Sequence, residues 1–159
     1  MSFLDDLRGA GFDFFTGVPD STFKRLLCEL EERPEFAYVP AVSENVAVGI
    51  AAGAHLGGRT AAVFMQNAGL ALAVNALASL AILYRIPMLL VVGWRGHDGG
   101  DSPEHRITGA VTLPLLELLG VPAFVPARDS IDAELARAVA AMHAQSRPAA
   151  LVCRPGVVR

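Results

Sequence analysis

Short, almost wholly apolar runs alternate with longer stretches whose apolar residues recur at helical spacing, from one end of the 159-residue chain to the other. The runs at 12–16, 36–42, 60–65, 87–94, 121–125 and 149–153 lack the in–out alternation of a half-solvated strand. Each therefore predicts a strand buried on both faces. Helices are predicted between them. Residues 2–10 open with Ser2 and Asp5 in capping-box spacing. Asp20 or Ser21 then caps a helix running to Glu32, with Phe23, Leu26, Leu27 and Leu30 as one apolar stripe. Residues 44–56 read as a helix of small side chains ended by Gly57 and Gly58, and 69–83 as a helix apolar on nearly every face. A loop rich in Gly, Asp and His spans 95–106, followed by helices at 108–119, with Pro114 inside, and 130–145. This alternation predicts an α/β fold: a single domain with a parallel sheet of about six strands and helices on both faces.

Composition removes several classes of function. Net charge is −3, and the 13 basic residues, all arginine except Lys24, form no run. Binding to nucleic acid or to an anionic membrane surface is not expected. Hydrophobic residues make up 53% of the chain and the mean hydropathy is +0.43, both high for one domain. The stretch 69–83 is shorter than the roughly 20 apolar residues a bilayer crossing needs. A helix apolar all round must nevertheless be covered all round, so a partner subunit is expected. Cys28 and Cys153 match no metal or redox spacing, and no signal peptide is apparent. Both are expected to be reduced core thiols of a cytoplasmic protein.

Against this background Glu44 stands out. Its nearest charged neighbours in sequence are Glu35 and Arg59, and the helix it opens is small and apolar. One reading is a helix-start acid favoured by the helix dipole, with Ser43 as the cap. The other is a carboxylate kept in a dry place for chemistry. In open parallel sheets, ligands bind beyond the carboxyl ends of the strands. The turns at 17–21, 43–45, 66–69 and 94–97 occupy those ends and hold most of the polar residues found between apolar elements. No glycine-rich dinucleotide fingerprint, phosphate-binding P-loop or serine nucleophile elbow is present. His97, Asp98, Asp101, Glu104 and His105 lie close in sequence but lack metal-ligand spacing, so no metal site is predicted. Arg95, His97, His105 and Arg106 read better as polar contacts to an anionic substrate, set against a merely solvated loop.

Five motifs in order make a family resemblance visible. They are Gly17-Val18-Pro19-Asp20-Ser21, Ser43-Glu44-Asn45 leading into Ala51-Ala52-Gly53, and Met65-Gln66-Asn67 with Gly69-Leu70. Ile86-Pro87-Met88-Leu89-Leu90 and Gly93-Trp94-Arg95-Gly96 complete the set. Together they resemble the pyrimidine-binding domain of thiamine-diphosphate (ThDP) decarboxylases acting on phosphonopyruvate and sulfopyruvate. The resemblance implies that Glu44 is catalytic, hydrogen-bonding a ring nitrogen of the cofactor's aminopyrimidine so that the cofactor can deprotonate its own thiazolium carbon. It implies cofactor contacts at Val18, Pro19, Asn67 and Gly69, and substrate contacts at Asp20, Ser21, Gln66, Asn67, Arg95 and His105.

Two departures qualify it. The family usually continues Ser-Gly-Leu-Gly-Asn after Gln66-Asn67, whereas this chain reads Ala68-Gly69-Leu70-Ala71-Leu72. Nor is there a Gly-Asp-Gly start with a following Asn, the mark of a diphosphate-binding domain. The resemblance therefore implies an alpha subunit in a hetero-oligomer, active with a beta subunit that holds Mg²⁺ and the diphosphate. The substrate expected is a small anionic 2-oxo acid, 3-phosphonopyruvate first and sulfopyruvate as the alternative. A carboligase, a non-catalytic scaffold or regulatory partner, and a stand-alone binding module are the other readings.

Overall fold

The computed structural model describes residues 2–158. Six strands form one fully parallel sheet: β1 (Phe14–Gly17), β2 (Ala37–Pro40), β3 (Ala61–Gln66), β4 (Leu89–Gly93), β5 (Ala123–Phe124) and β6 (Ala149–Cys153). Their spatial order is β2-β1-β3-β4-β6-β5. Alternate residues of the inner strands feed two separate cores. Phe64, Leu89, Val91 and Leu151 pack under α1 (Phe3–Gly9), α2 (Lys24–Glu32) and α6 (Ile131–Gln145). Val63, Met65, Leu90 and Val152 pack under α3 (Glu44–Leu56), α4 (Asn67–Ala76) and α5 (Pro103–Leu118). Burial on both faces is why these strands show no period-two pattern. The strand order reverses between β1 and β3, and the crevice above such a reversal is where open parallel sheets bind ligands.

The capping box at Ser2 and Asp5 is present. Several predicted boundaries move, each for a local reason. Asp20 caps as expected, its Oδ1 accepting from the Thr22 N–H at 2.8 Å, but it caps a 3₁₀ turn (Ser21–Phe23), and α2 starts only at Lys24. The helix expected from residue 108 starts at Pro103, whose fixed φ suits the first helical position. His105 and Arg106 are therefore helical, and Pro114 lies well inside α5. The helix expected at 69–83 starts at Asn67 and becomes π-helical at Leu77–Ile82. There the Ser79 hydroxyl donates to the Asn75 carbonyl at 2.6 Å, a side-chain back-bond of the kind that perturbs the helical ladder. Cys153 is a buried core thiol, but Cys28 is exposed on α2, so only one cysteine matches its predicted place. Among the described residues no helix is long and apolar enough to cross a membrane.

Candidate active site

Glu44 begins α3 and is buried, with 9% of its surface exposed. The capping explanation for it weakens, because Ser43 makes no cap and instead donates to Asn45 Oδ1 at 2.6 Å. No described residue forms an ion pair or a side-chain hydrogen bond with the Glu44 carboxylate. It borders a cavity of about 280 Å³ lined also by Val18, Pro19, Asp20, Gln66, Ala68, Gly69 and Leu72. Gly69 makes this placement possible. An ideal Cβ there would fall inside the van der Waals radii of Glu44 Cδ, Oε1 and Cγ. The backbone of α4 thus lies directly against the carboxylate. Ala68 and Leu72, two of the departures from the usual motif, form part of the same wall, which makes it drier.

Asp20 and Gln66 reach this cavity from the ends of β1 and β3, and Gln66 Nε2 donates to Asp20 Oδ2 at 2.7 Å. With its other oxygen capping the 3₁₀ turn, the Asp20 carboxylate is held from two sides. Asn67 does not line the cavity. It is 3% exposed, and its Nδ2 donates to the Arg95 carbonyl at 2.9 Å and to Thr112 Oγ1 at 3.0 Å. Its Oδ1 accepts from the Arg95 N–H at 3.2 Å. In this structure Asn67 ties the end of β4 to α5.

Beyond β4 a second cavity of about 390 Å³ is lined by Ser21, Thr22, Arg95, Gly96, His97, Asp98, Gly100, Asp101 and Pro155. Here Arg95 pairs side-on with Asp101, Nε to Oδ2 at 2.6 Å and Nη2 to Oδ1 at 2.7 Å. This pairing holds the Asp101 carboxyl far below the ordinary carboxylate range and raises the Arg95 guanidinium. His105 lines neither cavity. Its Nδ1 is 3.1 Å from Asp101 Oδ1 and 3.1 Å from Ser102 Oγ. Gly96 and Gly109 let the loop press onto α5, since a Cβ at either would meet backbone of the other segment. Among the described residues no group of three or more His, Cys, Asp or Glu is placed to hold a metal ion.

Of the predicted site residues, the structure gathers Val18, Pro19, Asp20, Glu44, Gln66 and Gly69 around one cavity. It sets Ser21 and Arg95 around the next. Asp101 was singled out in sequence only as a weak metal candidate, because an acid in a Gly/Asp loop looks solvated. Thr22 gives no signal in the sequence, and Leu72 shows there only as a departure from the family motif; their places at the cavities follow from the convergence of the turns.

Residues 2–112 match the family described as "Thiamine pyrophosphate enzyme, N-terminal TPP binding domain". The chain is 38% identical over 130 residues to the sulfopyruvate decarboxylase subunit alpha of Methanothermobacter thermautotrophicus, covering 79% of each chain. It is 37% identical over 113 residues to the phosphonopyruvate decarboxylase of Streptomyces viridochromogenes, covering 70% of this chain and 28% of that protein. Among solved structures it is similar to a chain from Mycobacterium smegmatis described as a thiamin diphosphate-dependent enzyme. That likeness has a TM-score of 0.74 and 25% identity, and it spans 98% of this chain and 32% of the other. With the parallel sheet and the ordered motifs, these matches show that the chain belongs to the thiamine pyrophosphate enzymes, as an N-terminal TPP-binding domain of the sulfopyruvate/phosphonopyruvate decarboxylase family.

Proposed function

We propose that this chain is the alpha subunit of a two-subunit ThDP-dependent decarboxylase that converts sulfopyruvate to sulfoacetaldehyde and carbon dioxide. One observation carries the catalytic part: a buried carboxylate, unpartnered by the described protein, on a cavity walled by Val18, Pro19, Ala68, Gly69 and Leu72 as well as by Asp20 and Gln66. Desolvating such a group is costly unless a partner arrives, and a weakly basic ring nitrogen is a suitable one. Glu44 would hold a proton at that nitrogen of the aminopyrimidine, with Val18, Pro19 and Gly69 as close neighbours. The cavity, about 280 Å³, falls just below the roughly 300–1,000 Å³ of complete small-molecule sites, which suits one ring better than a whole cofactor. Bound ThDP would supply the electron sink that lets a 2-oxo acid lose its carboxylate. The carboxylate leaves as carbon dioxide, a proton takes its place on the former keto carbon, and an aldehyde is released. Asp20, Ser21, Gln66 and Arg95 face the space the substrate would fill.

The sulfonate is favoured over the phosphonate by the matched lengths. The sulfopyruvate relative is itself named as an alpha subunit and aligns over 79% of both chains, whereas the phosphonopyruvate enzyme is matched over 28% of its length. The phosphonopyruvate expectation therefore takes second place. A partner chain, holding the diphosphate and Mg²⁺, is supported by an asymmetry of the surface. Val42, Val46, Leu56, Leu72, Leu83, Tyr84, Ile107, Val111 and Leu118 are exposed on or beside the α3–α4–α5 layer, and none of the large exposed apolar residues lies on α1, α2 or α6. Exposed apolar side chains gathered on one layer are what an association face would bury.

Co-expression with a beta subunit carrying a diphosphate domain, followed by an aldehyde assay on both 2-oxo acids, tests the reading. Sulfopyruvate should be consumed with the higher kcat/KM, and Glu44→Gln should lower the rate by roughly 10²- to 10⁴-fold. An assembled pair that is inactive on both acids, or a Glu44→Gln pair with unchanged rate, would leave the scaffold reading in its place.

A further inference from the structure

The Arg95 side chain is fixed more firmly than a surface arginine needs to be. Asn67 pins its backbone on both sides, N–H and carbonyl, and Asp101 takes its Nε and Nη2 together. Asp101 is itself over-determined: it also accepts from the backbone N–H of Gly96 at 3.1 Å and of Ser102 at 2.8 Å, and lies against His105 Nδ1. One carboxylate thus organises the loop after β4 and the start of α5. What Asp101 leaves unused is the outer edge of the guanidinium. Nη1 has no partner among the described residues, while Arg95 lines the 390 Å³ cavity with Ser21, Thr22 and His97.

Resting on the decarboxylase reading, we infer that this second cavity receives the substrate's distal anionic group, and that Asp101 is the positioning residue that presents Arg95 to it. The two cavities divide the substrate between them. Asp20 borders the first and its neighbour Ser21 the second, so the turn after β1 separates the reacting end from the anionic end. A planar guanidinium suits an oxyanion group because its N–H donors are fixed in direction. Clamping one edge on Asp101 orders the other edge before substrate arrives, so less ordering cost falls on binding. The opposite role for Asp101, a placeholder that the substrate displaces, fits less well. Leaving Arg95 would strand a carboxylate already holding the loop through Gly96, Ser102 and His105. Asp98 also lines this cavity but is exposed, and its Oδ1 accepts from the Gly100 N–H at 3.0 Å.

The test uses the assembled alpha–beta enzyme and compares sulfopyruvate with pyruvate, which has no distal anion. In Asp101→Asn, loss of the charge-assisted clamp should raise KM for sulfopyruvate about 10- to 100-fold. The value of kcat should stay within about threefold, the pattern of lost uniform binding. Selectivity for sulfopyruvate over pyruvate should fall in step. In an Arg95→Gln background the same substitution should add less than about twofold, because Asp101 acts through Arg95. Unchanged KM, a lowered KM (the placeholder outcome), or equal losses on both substrates would each overturn the inference. Wild-type enzyme inactive on every 3-sulfo or 3-phosphono acid would instead overturn the decarboxylase reading itself. A merely damaged loop would slow both substrates alike, and thermal melting of the variants checks that they fold.

Discussion

Gly69→Ala is the sharpest probe of the Glu44 cavity, because it adds one methyl group at the point where the main chain of α4 touches the carboxylate. The new Cβ would overlap Glu44 Cδ, Oε1 and Cγ together, so rotating one oxygen away cannot relieve it. Either the Glu44 side chain withdraws by roughly 1 Å or α4 tilts away from α3. A displacement of about 1 Å in a reacting group can cost about 10²-fold in rate, which sets the expected loss in kcat for the assembled enzyme. The fold should tolerate the change. Gly69 lies within α4, where alanine is the better helix former by about 0.8–1.0 kcal/mol, and this offsets part of the steric cost. The assay is aldehyde release under saturating ThDP, with ThDP affinity measured separately by fluorescence quenching. A Gly69→Ala enzyme that assembles and keeps more than about a third of wild-type kcat would refute the argument, since it would show that the position of Glu44 does not limit the reaction.

Three further outcomes follow from other parts of the molecule. Arg95 holds Asp101 ionised far below the usual carboxylate value of 3.8, so the stability it contributes is complete above that value and is lost as pH falls through the depressed one. The melting difference between wild type and Asp101→Asn should therefore persist from pH 8 to about pH 5 and be lost only in strong acid; a difference that vanishes near neutrality would contradict the pairing. Leu56→Glu and Leu83→Glu place charge on the exposed α3–α4 face. They should leave the isolated chain's melting temperature nearly unchanged and abolish co-purification with the beta subunit, as read by size-exclusion chromatography. Burial pushes the Cys153 thiol up to about 12, whereas Cys28 is exposed, so a thiol reagent should label one cysteine per native chain and two after denaturation.

Much of the fold was legible because its signals are local. Short apolar runs without alternation, too brief for a helix and bounded by breakers, read as strands covered on both faces, and the breaks at Gly17-Val18-Pro19 and Gly57-Gly58 lie in the sequence itself. Glu44 was legible for a similar reason: a carboxylate entering Val46-Ala47-Val48 has no local partner to excuse it. Boundaries governed by side-chain-to-backbone bonds were less readable. The Asp20 cap accompanies a start of α2 delayed to Lys24, and the Ser79 back-bond lies in the π-helical turn, contacts that periodicity does not report.

Roles within the site were the least legible. Asn67 and Gln66 are neighbours in one motif, yet the first is buried in a tie between β4 and α5 and the second borders the cavity. Asp101 looked like one more solvated acid until folding brought it onto Arg95. By itself the sequence determined the strand–helix alternation, the buried acid and the family, because these rest on hydrophobic pattern and short motifs. Only the tertiary structure decided which polar groups are spent on one another and which remain free to face a cavity. Hydrogen-bond partners are assigned by the convergence of turns far apart in the chain, such as those after β1, β3 and β4.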